Sequence, residues 1–348
     1  MSFRSEVPVS FVHSRPAFSL IAGLVIASLM AACGPGATSP VPSVAPTKLV
    51  VGLGYIPSVQ FAQFYLAQQT GLYAQAGLDI EFQNKIDPDL IALVGQGAID
   101  VGIGDGTSVI PAVSNEIPIR YIATVYGKFP NVVFAKASSG IETAADLKGK
   151  RIGTPGRYGS GWIMLQALLE SAGLTTDDVE IIEYPDFTQE LAVEQGAVDA
   201  ATGFANNEPV QLELNGETAV VLRIDDVTPL PGPGLVSGTT TLDSKGDAIA
   251  GFVAATLRAM EEIRENPQAG LDAAITAVPE LASATGQAEI LAATIDSWAG
   301  PEQEAQGLGA IDRDGWSASI AYLGTLGLVN APLSVEDVVR SDLLPSGD

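Results

Sequence analysis

From Lys48 onward the apolar positions alternate between short continuous runs and helical spacing. KLVVGLG (48–54) reads as a buried strand. Phe61, Phe64, Tyr65, Ala67 and Leu72 give a rough apolar face to a helix over 61–76. LDIEF (78–82) is the next strand, followed by a short helix over 88–97 and a strand at AIDVGIG (98–104). IRYIATV (119–125) and NVVFA (131–135) continue the series. Strands alternating with helices predict an α/β architecture with a mainly parallel sheet flanked by helices.

The pattern then restarts. KRIGTP (150–155) is a strand, and a helix over 161–172 closes at Gly173, where a left-handed cap is expected. VEIIEY (179–184), a helix over 188–196 and AVDAATG (197–203) follow. QGAIDVGIG (96–104) matches QGAVDAATG (195–203), and GLYAQAGLDIEF (71–82) matches LLESAGLTTDDVEIIEY (168–184). Turns of this kind recur in α/β proteins generally, but the doubled order favours two lobes on one plan, 48–135 and 136–238. Beyond Gly238 the chain reads as helical. Ile249, Phe252, Val253, Leu257, Met260 and Ile263 repeat at helical spacing, with more helix over 267–298 and 316–326. This tail, 239–348, is expected to return and complete the first lobe.

The N-terminus has a different character. Arg4 and Arg15 precede an uncharged, mostly apolar run over 17–32 that ends in Met30-Ala31-Ala32. Basic, apolar and small-residue regions in that order mark a secretory signal over 1–32. The run is shorter than the roughly 20 residues of a membrane span. Cys33 follows directly, and the junction resembles a bacterial lipobox, which implies lipidation of Cys33. Residues 33–47 are rich in Pro, Ser, Gly, Thr and Ala without charge, as in a flexible tether.

Composition narrows the functions. Cys33 is the sole cysteine, so no disulfide forms within the chain. The sole histidine, His13, lies in the signal. The mature chain therefore lacks Ser-His-Asp and Cys-His catalysis and the commonest zinc ligands, and binding is expected rather than catalysis. The formal net charge is −24, which argues against nucleic acid as a partner. The Asp and Glu residues are scattered and form no metal constellation.

In open α/β sheets ligands bind beyond the carboxyl ends of the strands. The loops there hold Tyr55, Gln60 and Phe61; Asp105 and Thr107; Tyr126, Lys128 and Phe129; Arg157, Tyr158, Ser160 and Trp162; and Phe204, Asn206, Asn207 and Glu208. The chain is only 6% aromatic, so this gathering of rings suits a flat ligand. The amides and carboxylates would read its edges. Gly156 to Gly161 opens a helix, whose free amides with Arg157 would suit an anion. The same glycines and serine suit the hydroxyls of a neutral ligand.

These segments carry a family resemblance. YIPSVQFAQFYLAQQTGLYAQAGLDIEF, GQGAIDVGIGDG, EQGAVDAATGF, ETAADLKGKRIGTP and the closing YLGTLGLVNAPLSVEDVVRSDLLP resemble the substrate-binding proteins of ABC importers. The branch is that of the aliphatic-sulfonate and thiamine-pyrimidine-precursor binders. Tyr55-x-Pro57-x2-Gln60-Phe61-Ala62 looks closer to the riboflavin-binding lipoproteins than to the pyrimidine binders, where a Trp-Thr-Pro-Asn-like start is expected. The resemblance implies a two-lobe type II periplasmic-binding fold, the "Venus flytrap", with hinge crossings near 135–138 and 235–240. It implies a lipid-anchored monomer on the outer face of the cytoplasmic membrane that passes riboflavin to a permease and its ATPase. No cofactor is implied. A thiamine pyrimidine precursor, a sulfonate or another small anion are the alternative ligands. The family's eukaryotic pyrimidine synthase uses histidine and cysteine chemistry that the mature chain lacks.

Overall fold

The computed structural model describes residues 45–84, 89–225 and 230–345. The signal expected over 1–32, the lipidation site Cys33 and most of the tether lie outside the described residues. Ten strands occur in chain order: β1 (Thr47–Gly52), β2 (Leu78–Gln83), β3 (Val101–Gly104), β4 (Ile119–Thr124), β5 (Asn131–Lys136), β6 (Arg151–Thr154), β7 (Glu180–Glu183), β8 (Ala200–Phe204), β9 (Ala219–Arg223) and β10 (Gly234–Gly238). They form two five-stranded sheets, β2-β1-β3-β10-β4 and β7-β6-β8-β5-β9.

Both sheets follow one plan. β1 pairs in parallel with β2 and β3, and β6 pairs in parallel with β7 and β8. In each sheet the fourth position is an antiparallel strand contributed by the chain as it crosses over. That strand is β10 in the first sheet, with Leu235 opposite Ile103, and β5 in the second, with Asn131 opposite Phe204. The sheets are thus mainly parallel with one reversed strand each. This moves the crossings: β5 belongs to the second sheet and β10 to the first. The chain leaves the first sheet at Thr124 and enters the second at Asn131, then leaves the second at Arg223 and re-enters the first at Gly234, so both crossings come earlier than the 135–138 and 235–240 that the resemblance implies.

The repeated Ala-(Ile/Val)-Asp does the same structural work twice. Asp100 Oδ2 accepts the Val50 N–H at 2.9 Å while the Asp100 N–H donates to the Val50 carbonyl. Asp199 makes the same two bonds with Arg151, also at 2.9 Å. Each aspartate fastens the start of a central strand to its neighbour. Each also takes a cation: Lys245 on Asp100 and Arg151 on Asp199, at 2.8 and 2.7 Å. The preceding glycines, Gly97 and Gly196, have φ of 74° and 70°, which only glycine adopts freely.

The helical tail packs on the first sheet. Ile249, Phe252, Val253, Leu257, Met260 and Ile263 of the helix Thr239–Glu265 are buried in one cluster with Leu49, Val51 and Phe64. The helix bends at Lys245, whose φ and ψ of −129° and 19° are not helical. A separate core under the second sheet holds Val133, Ile152, Met164 and Leu168. Two helices absent from the sequence reading, Gly106–Ser114 and Glu208–Leu214, follow directly on the strand-end loops. Among the described residues no helix is long and apolar enough to cross a membrane.

Candidate functional site

The carboxyl ends of β1 and β3 face those of β6 and β8, and the predicted loops meet there. Asn206, fully buried, donates from Nδ2 to Gln60 Oε1 at 3.0 Å and to Thr294 Oγ1 at 2.9 Å. Gln60 follows β1 of the first sheet and Asn206 follows β8 of the second. Gln60 Nε2 in turn donates to Ser58 Oγ at 3.2 Å. Thr294 passes its own proton to the Ile290 carbonyl, which leaves its oxygen free to accept from Asn206. The Tyr126 hydroxyl adjoins Asn206 and Thr294, and burial raises its pKa. Gln60, Tyr126 and Asn206 therefore form a polar joint between the sheets. Thr294 was not found from the sequence; a polar residue on the buried side of the helix Gln287–Trp298 was its only signal.

Glu208 opens the helix Glu208–Leu214, with Pro209 in the first turn and Asn207 at the cap position. Its Oε2 accepts the Phe204 N–H at 2.7 Å and lies above Gly203, where a Cβ would come within 3.0 Å of it. Burial pushes this carboxyl up to about 7, against the opposing pull of the backbone N–H groups. Asn207 Oδ1 is occupied by Gln211 Nε2 at 2.7 Å. Tyr55 stands near Glu208 from the first sheet. Burial, and then the Glu208 charge, push its phenol up to about 12.

Asp105 and Thr107 have a local role. Asp105 caps the helix Gly106–Ser114: its Oδ1 accepts from Thr107 Oγ1 at 2.8 Å and from the Ser108 N–H at 3.0 Å. Burial raises the Asp105 pKa while these donors and Ser160, from the opposite sheet, oppose the rise. Phe61 leans on Phe64 with ring centroids 6.4 Å apart and packs at the edge of the first core. Trp162 packs on the second core and carries the Arg157 guanidinium over its ring at 5.4 Å. Arg157 also meets Glu183, Nε to Oε1 at 3.3 Å. Tyr158 is 61% exposed, folded back over Gly156. Phe204 is half-buried.

Two further residues belong with these. Asn131, the first residue of β5, is buried beside Gly161, and its Nδ2 has no partner. A polar residue opening an otherwise apolar strand was the signal for it. Phe187, in the loop after β7, reaches Tyr55 with ring centroids 6.2 Å apart and planes at 75°. A groove of about 730 Å³ elsewhere, lined by Leu257, Arg258, Arg313 and Leu344, contains none of these residues. Among the described residues no group of three or more His, Cys, Asp or Glu is placed to hold a metal ion.

Comparison with known proteins fits this architecture. Residues 58–270 match the family described as NMT1/THI5 like. The riboflavin-binding protein RibY of Chloroflexus aurantiacus is 30% identical over 344 residues, covering 94% of this chain and 98% of that protein. A formylaminopyrimidine-binding protein of Halalkalibacterium halodurans is 25% identical, over 93% of this chain and 98% of its own length. The periplasmic aliphatic sulphonate binding protein SsuA of Escherichia coli superposes with a TM-score of 0.66 at 18% identity. That match covers 84% of this chain and 97% of SsuA, and it shows the periplasmic-binding fold.

Proposed function

The chain belongs to the NMT1/THI5-like family, and from that premise we propose that it captures riboflavin outside the cytoplasmic membrane and delivers it to an ABC importer. The observation that carries the choice of ligand is the state of the cations. Arg157 pairs with Glu183 and lies over the Trp162 ring, and Lys128 is held by Asp296 at 2.8 Å. Meanwhile the buried carboxyls of Asp105 and Glu208 stand at the same strand ends. An anionic sulfonate would meet two carboxyls and no unpaired cation from these loops. A neutral flat ring suits Tyr55 and Phe204. Polar ring edges and a hydroxylated chain suit Asn131, Asn207, Ser160 and the carboxyl of Glu208.

In this reading the two sheets are the cores of two lobes that close on the ligand, which shifts the equilibrium toward the closed form by touching both. The chain works as a monomer. Cys33 carries a lipid, the following residues tether the body to the membrane, and the partners are a permease and its ATPase. No reaction is catalysed. The test is titration of the purified full chain with riboflavin, followed by quenching of flavin fluorescence. Saturable one-to-one quenching at submicromolar riboflavin is the expected result. Absence of quenching at micromolar riboflavin would overturn the flavin reading and direct the same titration to formylaminopyrimidine.

A further inference from the structure

Among the described residues only Glu116 and Phe187 combine a positive φ with a side chain. Phe187 sits at +60°, a region where a bulky residue is strained. Such strain persists only where the surroundings enforce it, and it concentrates at ligand clamps and switches. Here the enforcement is local. The Phe187 N–H donates to the Tyr184 carbonyl at 3.0 Å, and Thr188 Oγ1 donates to Asp186 Oδ1 at 2.8 Å. With the backbone so held, the ring meets Tyr55, centroids 6.2 Å apart. β7 runs parallel to β6, which runs parallel to β8, so Phe187 emerges at the same end of the second sheet as Phe204 and Glu208. Tyr55 emerges from the first sheet after β1. Both rings are only half-buried, so both remain accessible.

We propose that Phe187 supplies the second-sheet face of an aromatic clamp whose first-sheet face is Tyr55, and that this clamp selects ligands bearing a flat ring. The inference rests on the reading of the chain as a flavin binder and adds to it a residue that sets specificity. A ring held between two aromatic faces needs them parallel and about 7 Å apart, twice the carbon contact distance. Tyr55 and Phe187 instead meet edge to face at 6.2 Å. The pair must swing apart to admit a ring, and a ligand without one gains nothing from parting them. Glu208, beside Tyr55, then meets the ring's polar edge.

The test compares the full native chain with Phe187→Gly, Phe187→Tyr, Tyr55→Ala and the Tyr55→Ala/Phe187→Gly double variant in riboflavin titrations. Glycine accepts the left-handed backbone freely, so Phe187→Gly stays folded, which circular dichroism checks. Its riboflavin affinity is expected to fall by about tenfold, the loss of one stacked face. Phe187→Tyr keeps the face and native affinity. The double variant loses less than the sum of the single losses, because either face alone grips poorly. Native-like riboflavin affinity in folded Phe187→Gly overturns the clamp and leaves the flavin reading standing. If the native chain does not bind riboflavin, the flavin reading falls, and native and Phe187→Gly are compared with formylaminopyrimidine. A weaker grip by the variant then upholds the clamp. Equal affinities, or no binding by the native chain, overturn it.

Discussion

Asn206 Nδ2 lies 3.0 Å from Gln60 Oε1, so one buried hydrogen bond joins the loop after the first strand of one sheet to the loop after the third parallel strand of the other. The same amide also donates to Thr294. Asn206→Ala removes both bonds and leaves Gln60 Oε1 and Thr294 Oγ1 without their donor inside the joint. The expected cost is about 1–3 kcal/mol, the penalty for stranding buried polar atoms. Urea denaturation reads it. Unchanged stability would show that the joint opens readily to water and does not bind the sheets together.

Glu208 makes stability depend on pH in an unusual direction. Its folded pKa, about 7, lies above the ordinary carboxylate value because burial disfavours the charge. A group raised in the folded state contributes fully below its unfolded pKa, and the contribution is lost as pH rises through the folded value. The chain is therefore expected to be more stable near pH 5 than near pH 8, with Glu208 accounting for up to about 3 kcal/mol. Asp105, also raised by burial, adds to the same trend. Glu208→Gln should flatten the profile between those pH values and leave the Asp105 part. Urea midpoints across the range check this, and an unchanged profile in Glu208→Gln would refute it.

The duplicated plan was legible in the sequence because its aspartates do identical backbone work. Asp100 and Asp199 each clasp a neighbouring strand, so the spacing of Gly, Ala and Asp around them is fixed twice. The apolar spacing of the helix Thr239–Glu265 was legible for a similar reason, since one face is buried throughout. The helix Gly106–Ser114 was not. It begins Gly-Thr-Ser and contains Pro111, all poor helix formers, and its Asp105–Ser108 capping box reads equally as a ligand loop. β10 was missed because Gly234 and Gly238 bound it, yet Gly234 is required where the Tyr121 side chain crosses the strand. Of the site, Tyr55 and Glu208 were visible as strand-end residues. Phe187 was not, because left-handed backbone is signalled by glycine and here a phenylalanine holds it.

The two aspartates also make a paired prediction. The Asp100 side chain is 10% exposed and that of Asp199 is 31% exposed. Each accepts a backbone N–H, but the more buried carboxylate leaves the less hydrated groups behind. Asp100→Ala is therefore expected to destabilise more than Asp199→Ala, both by about 1–3 kcal/mol. Chemical denaturation of the two variants decides the order. The reverse order would mean that the bidentate Arg151 contact on Asp199, not burial, dominates.

Arg157 offers the sharpest separation between neutral and anionic ligands. Its guanidinium is committed to Glu183 and to the face of Trp162. A phosphate on the ligand would add about −1.5 to −2 charges at neutral pH. To meet it Arg157 would have to leave both partners, on a chain whose formal net charge is already −24. FMN is therefore expected to bind more weakly than riboflavin, and the gap should narrow at high salt, where repulsion is screened. Arg157→Ala should leave riboflavin affinity within about twofold of native, because a neutral flavin offers the guanidinium no charge to meet. Parallel titrations of native chain and variant with both flavins give the answer. Tighter binding of FMN, abolished by Arg157→Ala, would show that the guanidinium reads an anion and that the site does not favour a neutral ligand.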